Sequence, residues 1–297
     1  MSEDFFRKII NDATDFGYDT FGLTPLTGEV LTDKTFVKKL LFMENHPKVK
    51  EYSFCTNFTL ADKDIIDFLT TTKKLNTLFI SIYGHSKDTF VSFSGSKEEF
   101  FRQLLKNLKY LLKKSGDKKF KIDLGIRTEA DFDLEQCSNE LCQTIKTMRD
   151  KYHAIININK TFNNWGGHIT NDDIKDLNIT INKPLSVYKK GPCSLIFYKN
   201  IVLADGRINA CACRDVDATM VIGDLKTQSF GEIYSLDNDL YMDLIGKQQK
   251  NIFNPVCESC DFYRSILKYH RVYKNHSKRP ITFKKFLRTL STDHSIF

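Results

Sequence analysis

The stretch CSLIFYKNIVLADGRINACACRDVD, residues 193–217, runs on through VIGDLKTQSFGEIY (221–234) to NPVCESC (254–260). Five of the eight cysteines fall in this window: Cys193, Cys211, Cys213, Cys257 and Cys260. Thiolates at CxC and CxxC spacings can converge on one metal centre, because a tight turn lets two sulfurs face the same point. Four thiolates suit tetrahedral zinc as well as iron, so spacing alone leaves the metal open. The remaining cysteines read differently. Cys55 ends an expected strand, and Cys137 and Cys142 lie in or near one expected helix, so all three read as small core hydrophobes.

Working back from this window, helices and strands alternate. Phe5, Phe6, Ile9, Ile10 and Ala13 predict a helix over Glu3–Phe16, stopped at Gly17. Strands are expected at Thr20–Leu23, Val49–Cys55, Thr77–Tyr83, Phe120–Ile126 and His153–Ile158. Between them, helices are expected after Asp33 as a cap, and at Asp62–Thr71, Lys97–Lys114 and Leu134–Met148. TLFISIY (77–83) is nearly unbroken apolar, the pattern of a strand buried on both faces. Such alternation predicts right-handed βαβ units around a parallel sheet or barrel. The series opens on a helix where such a repeat normally opens on a strand. Residues 161–192, rich in Asn, Asp and Gly, read as a connector that packs over the open end of the sheet. Residues 193–265 form a compact β-rich unit with a helix near Asp239–Gln249. The basic tail, 266–297, carries a short helix around Thr282–Thr289.

Composition narrows the function. The formal net charge is +7, from 44 basic and 37 acidic residues. This mild excess is spread along the chain and reads as solvated helix faces, making nucleic acid an unlikely partner class. No stretch approaches the ~18 apolar residues of a membrane helix, and MSEDFFRKII has no secretory pattern. The chain reads as cytoplasmic, where thiols stay reduced and clustered cysteines hold metal.

The window resembles the auxiliary-cluster region of radical S-adenosylmethionine enzymes, the SPASM domain and its shortened form, the twitch domain. C-x12-G-x4-C (193–211) and the later CxxC match, and VIGDLKTQSFGEIY is similar to the segment joining the two cysteine halves. The full SPASM pattern continues with further cysteines. Here the first such position is Ile266, and no cysteine follows Cys260. The resemblance therefore implies one four-iron cluster held by Cys193, Cys211, Cys257 and Cys260, with Cys213 as spare or substitute.

The same resemblance extends over residues 1–160 and implies an α/β fold: a partial (β/α)6 TIM-like barrel lacking its first strand. Thr27, Gly28 and Glu29 are similar to the family's GGE-type motif, whose backbone contacts the methionine amino group. Asn57 after Thr56, Ser81 with Gly84, and Arg127 occupy successive strand ends where the family contacts S-adenosylmethionine. Taken one by one, polar residues leaving strands are ordinary turn formers; together they form one rim. The family's CxxxCxxC loop is missing. An absent first strand and an absent loop at the same place are both explained by a reading frame that starts downstream of them.

The full form of such an enzyme would generate a 5′-deoxyadenosyl radical and abstract hydrogen from its substrate. It would draw on an electron donor such as flavodoxin or ferredoxin. Without CxxxCxxC, this chain is expected not to cleave the cofactor. The substrate class stays open among sugars, peptides and nucleotide-like molecules. The alternative is a non-catalytic scaffold that binds a partner or substrate through an iron–sulfur or zinc centre.

Overall fold

A computed structural model of the chain describes residues 1–268, apart from 115, 117, 130 and 183–186. The expected tail helix at Thr282–Thr289 lies outside the described residues.

The first half alternates as expected, in the order α1 (Glu3–Phe16), β1 (Thr20–Gly22), α2 (Phe36–Asn45), β2 (Glu51–Thr56), α3 (Lys63–Thr71), β3 (Leu75–Tyr83), α4 (Lys87–Ser94), α5 (Glu98–Lys114), β4 (Lys121–Arg127), α6 (Glu140–Tyr152) and β5 (Ile155–Asn159). The five strands form one parallel sheet in the order β1-β2-β3-β4-β5. A sequential order keeps successive crossovers on one side, as in a barrel; a doubly wound sheet reverses. Helices therefore cover one face. Tyr52, Phe54, Leu78, Ile80, Ile82, Leu124 and Ile126 point at them and are buried. They pack with Leu104, Leu108 and Leu111 of α5 and with Leu141 and Ile145 of α6. Among the described residues, β1 is an edge strand.

The other face is concave and open, which corrects one expectation. β3 is not buried on both sides. Its burial alternates, and Phe79 is 40% exposed on the concave face. Parallel register sets Cys55, Phe79, Asp123 and Ile155 in one row across the sheet. Ser81, Gly125 and Asn157 form the next row, and Tyr83, Arg127 and Asn159 the last. A continuous apolar run thus concealed a strand with a lined inner surface.

Three further expectations shift for local reasons. Thr35, not Asp33, is the residue before α2; Asp33 instead accepts from the Thr35 backbone and hydroxyl and pairs with buried Lys39. α6 starts at Glu140 because the Asn139 side chain caps it, accepting from Cys142 N at 3.0 Å. That turn also brings Cys137 against Cys142, and the two form a disulfide, so they are not lone core thiols. α4 was not anticipated. A capping box between Ser86 and Thr89 starts it, and Gly84 admits it, since a Cβ there would stand 2.4 Å from Phe90 N.

Beyond β5, the connector holds a short parallel pair, β6 (Thr161–Phe162) with β7 (Thr180–Ile181), and a 3-10 turn at Trp165–Gly167. The second unit follows: α7 (Leu195–Tyr198), β8 (Ile201–Val202), β9 (Arg207–Asn209), β10 (Val221–Asp224), α8 (Phe230–Ile233), α9 (Asp239–Gln249) and α10 (Pro255–Glu258). Its antiparallel sheet has the order β10-β9-β8.

α1 ties the halves together. Ile10 enters the barrel core, while Ile9 and Ala13 enter the core of the second unit. Phe16 stacks on Phe230 at 5.9 Å. The helix that seemed out of place at the start of a βα repeat thus packs against both units.

Candidate functional site

Two groups of residues are brought together, one at the barrel rim and one in the second unit. All parallel strands end at the same edge, so the loops after β1, β2, β3 and β4 meet there. Glu29 organises this rim. Its carboxylate accepts from Thr56 Oγ1 at 2.6 Å, Asn57 N at 2.7 Å and Leu31 N at 3.2 Å. The loop after β1 is thereby fastened to the end of β2, and the expected Glu29 and Asn57 become direct neighbours. Asn57 Oδ1 turns to Thr59, accepting from its backbone at 3.0 Å and its hydroxyl at 2.7 Å. Thr27 and Gly28 stand exposed at the top of the loop.

Ser81 lies on the concave face, where its hydroxyl meets Cys55 Sγ at 3.3 Å. Arg127 lies further up the same face, with its guanidinium carbon 5.2 Å from the Tyr83 ring centroid. Its Nη1 is buried and has no hydrogen-bond partner among the described residues. An orphaned guanidinium N–H is costly unless an acceptor arrives. The Thr27–Gly28 backbone is exposed at one strand end and the Arg127 guanidinium stands at another, stacked on Tyr83 with Nη1 unpartnered among the described residues.

The second group is the cysteine pocket of the second unit. Cys193, Cys211, Cys213, Cys257 and Cys260 all line it, with Met220, Gln248, Phe262 and Tyr263. The chain gathers them from three places. Cys193 precedes α7 and is held by a bridge to Ser265. Cys211 and Cys213 follow β9. Cys257 sits on α10, and the turn after it carries Cys260. All five are free thiols. Both members of the CxC face the pocket, so the choice between Cys211 and Cys213 stays where the spacing left it. Among the described residues, no three His, Cys, Asp or Glu side chains are grouped as a single metal ion requires.

Burial dominates the electrostatics. It pushes the Cys193 thiol up to about 12 and the Cys260 thiol to about 11, against an ordinary 9.0. Cys257 is raised further, chiefly by burial and then by the neighbouring thiols. Burial also raises Cys213, with Lys199 and Arg214 working against it. Thiolates form in such a pocket only with a compensating cation, and binding one releases protons. At the pocket edge the Arg214 guanidinium holds Asp261, whose side chain is fully buried, at 2.8 Å. It also donates to the Cys213 carbonyl at 2.9 Å.

Some of this could not be anticipated residue by residue. Gln248 and Tyr263 are buried beside the sulfurs, and the only sequence signal was a polar residue on the apolar stripe of α9 (Tyr241, Leu244, Ile245, Gln248). The connector was expected over the open end of the sheet. Part of it lies there, with Asn178 Nδ2 donating to Asp131 in the loop after β4 at 3.4 Å, and its turn packs on the CxxC segment: Asn164 Nδ2 donates to the Ser259 carbonyl at 2.6 Å. A Cβ on Gly166 would stand 2.5 Å from Val256 Cγ2.

Residues 193–261 match the sequence model of SPASM, an iron–sulfur cluster-binding domain. A search of curated proteins returns no match. Among solved structures, the chain is similar to Streptococcus suis SuiB bound to precursor peptide SuiA, with 14% identity and a TM-score of 0.55, covering 95% of this chain and 68% of that one. It is similar to BtrN in complex with AdoMet and 2-DOIA, with 12% identity and a TM-score of 0.50, covering 95% and 84%. Native anSMEcpe with bound AdoMet gives 14% identity and a TM-score of 0.50, covering 100% and 90%. A parallel sheet in sequential strand order followed by a small cysteine-bearing unit is the fold this chain shares with these structures.

No helix among the described residues is long and apolar enough to cross a membrane.

Proposed function

We propose that Cys193, Cys211, Cys257 and Cys260 each bind one iron of a single four-iron auxiliary cluster, and that the rim of Thr27, Gly28, Glu29, Asn57, Ser81 and Arg127 binds S-adenosylmethionine. The observation that carries this reading is the convergence of five free thiols from three chain segments on one pocket, inside the segment that matches the cluster domain. Each cysteine of a cluster binds a different iron, so its sulfurs stand further apart than those around one tetrahedral ion. The match of residues 193–261 to an iron–sulfur cluster-binding domain favours the cluster over zinc. When bound, the cluster supplies one-electron chemistry.

This chain's own residues do the holding and positioning. Glu29 locks the loop after β1 onto β2, which presents the Thr27–Gly28 backbone to the ligand's amino group. The buried Arg127 Nη1 offers a charge-assisted hydrogen bond to its carboxylate. Phe79, Asp123 and Asn157 on the concave face are left to a substrate. A peptide is the favoured substrate class, supported by the SuiB–SuiA complex among the similar structures; flavodoxin or ferredoxin is the electron donor class. The 297 residues hold no CxxxCxxC, so the chain alone is expected to bind the cofactor without reductive cleavage. Isothermal titration with S-adenosylmethionine, wild type against Arg127→Ala, tests the rim. Loss of most of the affinity is expected, and equal affinity would overturn the assignment.

A further inference from the structure

Gln248 is fully buried near the C-terminal end of α9, against the cysteine pocket. Its Oε1 accepts from Cys193 N at 2.9 Å and faces Tyr263 Oη at 3.3 Å. Its Nε2 stands 3.6 Å from Cys257 Sγ, within reach of an N–H···S hydrogen bond. The orientation of this amide is forced. A backbone N–H can only donate, so the atom facing Cys193 N must be the oxygen, and the amide nitrogen must face Cys257. The neighbouring partners complete the arrangement: Tyr263 donates to the Gly191 carbonyl at 2.5 Å. One side chain thereby joins a ligand from the start of the unit to a ligand from its end. A buried primary amide is costly in an apolar pocket unless its groups are used, and here a sulfur uses the donor.

We propose that Gln248 is a positioning residue for the auxiliary cluster, which donates an N–H···S hydrogen bond to the ligand Cys257 and raises the cluster's reduction potential. The inference rests on the cluster reading above. Reduction adds negative charge to the cluster and its thiolates, and a hydrogen bond to a ligand sulfur stabilises the more negative state. Removing the donor makes reduction harder.

The experiment is a redox titration of the full chain, reconstituted anaerobically and followed by electron paramagnetic resonance of the reduced cluster. Iron and sulfide content of the wild type comes first; absence of both would overturn the cluster reading itself, independently of Gln248. Gln248→Met keeps the length of the side chain and removes the donor. Gln248→Glu keeps the acceptor for Cys193 N and also removes the donor. Each variant is expected to keep its iron and to shift the reduced-to-oxidised ratio at fixed potential about tenfold toward oxidised, equivalent to about 59 mV for a one-electron couple. Gln249→Met, on the exposed side of the same helix, is expected to leave the midpoint in place. A midpoint equal to wild type in a cluster-bearing Gln248 variant would overturn the proposal. So would loss of the cluster from both Gln248 variants, because Gln248 would then be a folding residue only.

Discussion

At the barrel rim, Glu29, Thr56 and Asn57 find their partners in one another, and the loop closes without any ligand. In the cysteine pocket, five sulfurs face a common space, no disulfide joins them, and burial raises the Cys193, Cys213, Cys257 and Cys260 thiols. The rim is held by its own hydrogen bonds, with the buried Arg127 Nη1 unpartnered among the described residues, whereas the pocket gathers thiols that make no such mutual network. Polar groups that satisfy each other persist as scaffold, whereas buried groups without compensation mark the place where a cofactor belongs.

The contrast is broken most directly at the pocket. Replacing Cys257 and Cys260 together by Ala is expected to abolish iron and sulfide binding, as measured by metal and sulfide analysis, because half the ligands are gone. Next in size, Cys211→Ala and Cys213→Ala should behave unequally. The first is expected to strip the cluster and the second to spare it, and the reverse would make Cys213 the ligand.

The rim predicts a stability effect with no effect on iron. Glu29→Ala leaves Asn57 N and the Thr56 hydroxyl without their acceptor. It is expected to cost roughly 1–3 kcal/mol in urea unfolding, with iron content intact. Gly166→Ala sits between the two regions. Its φ of +68° and the 2.5 Å approach to Val256 Cγ2 predict a loss of about 1–3 kcal/mol, accompanied by reduced cluster occupancy because α10 carries Cys257.

The smallest effect is that of pH on the metal-free chain. Folding raises the Cys193 and Cys260 thiols to about 12 and about 11 from an ordinary 9.0. Above about pH 9 the unfolded chain therefore releases protons that the folded chain keeps. The folded state then binds more protons than the unfolded one, so stability falls as pH rises. Urea midpoints should drop between pH 8 and pH 10 for the metal-free chain. The cluster-loaded chain, with its thiols already deprotonated, should lack that loss.

Much of the fold was legible because periodicity and punctuation agree locally. α1 runs over Glu3–Phe16 and α9 over Asp239–Gln249, both as expected. The concave face was not legible from TLFISIY, since a barrel interior and a buried sheet face both accept apolar residues. The start of α6 was misplaced because Leu134 and Cys137 continue an apolar pattern that Asn139 interrupts by capping. At the site, the cysteine spacing foretold that the five sulfurs would line one pocket. Gln248 carried only its place on the apolar stripe of α9 and the Asn164–Gly167 turn carried nothing, because their roles arise from contacts 9 and 95 residues away along the chain, to Cys257 and Ser259.

Iron, sulfide and zinc analysis of the anaerobically reconstituted full chain, read together with its visible spectrum, tests the central claim most directly. About four iron and four sulfide per chain, with a brown chromophore that disappears in the Cys257→Ala/Cys260→Ala variant, is the predicted result. A colourless protein with one zinc bound through the same cysteines would contradict it.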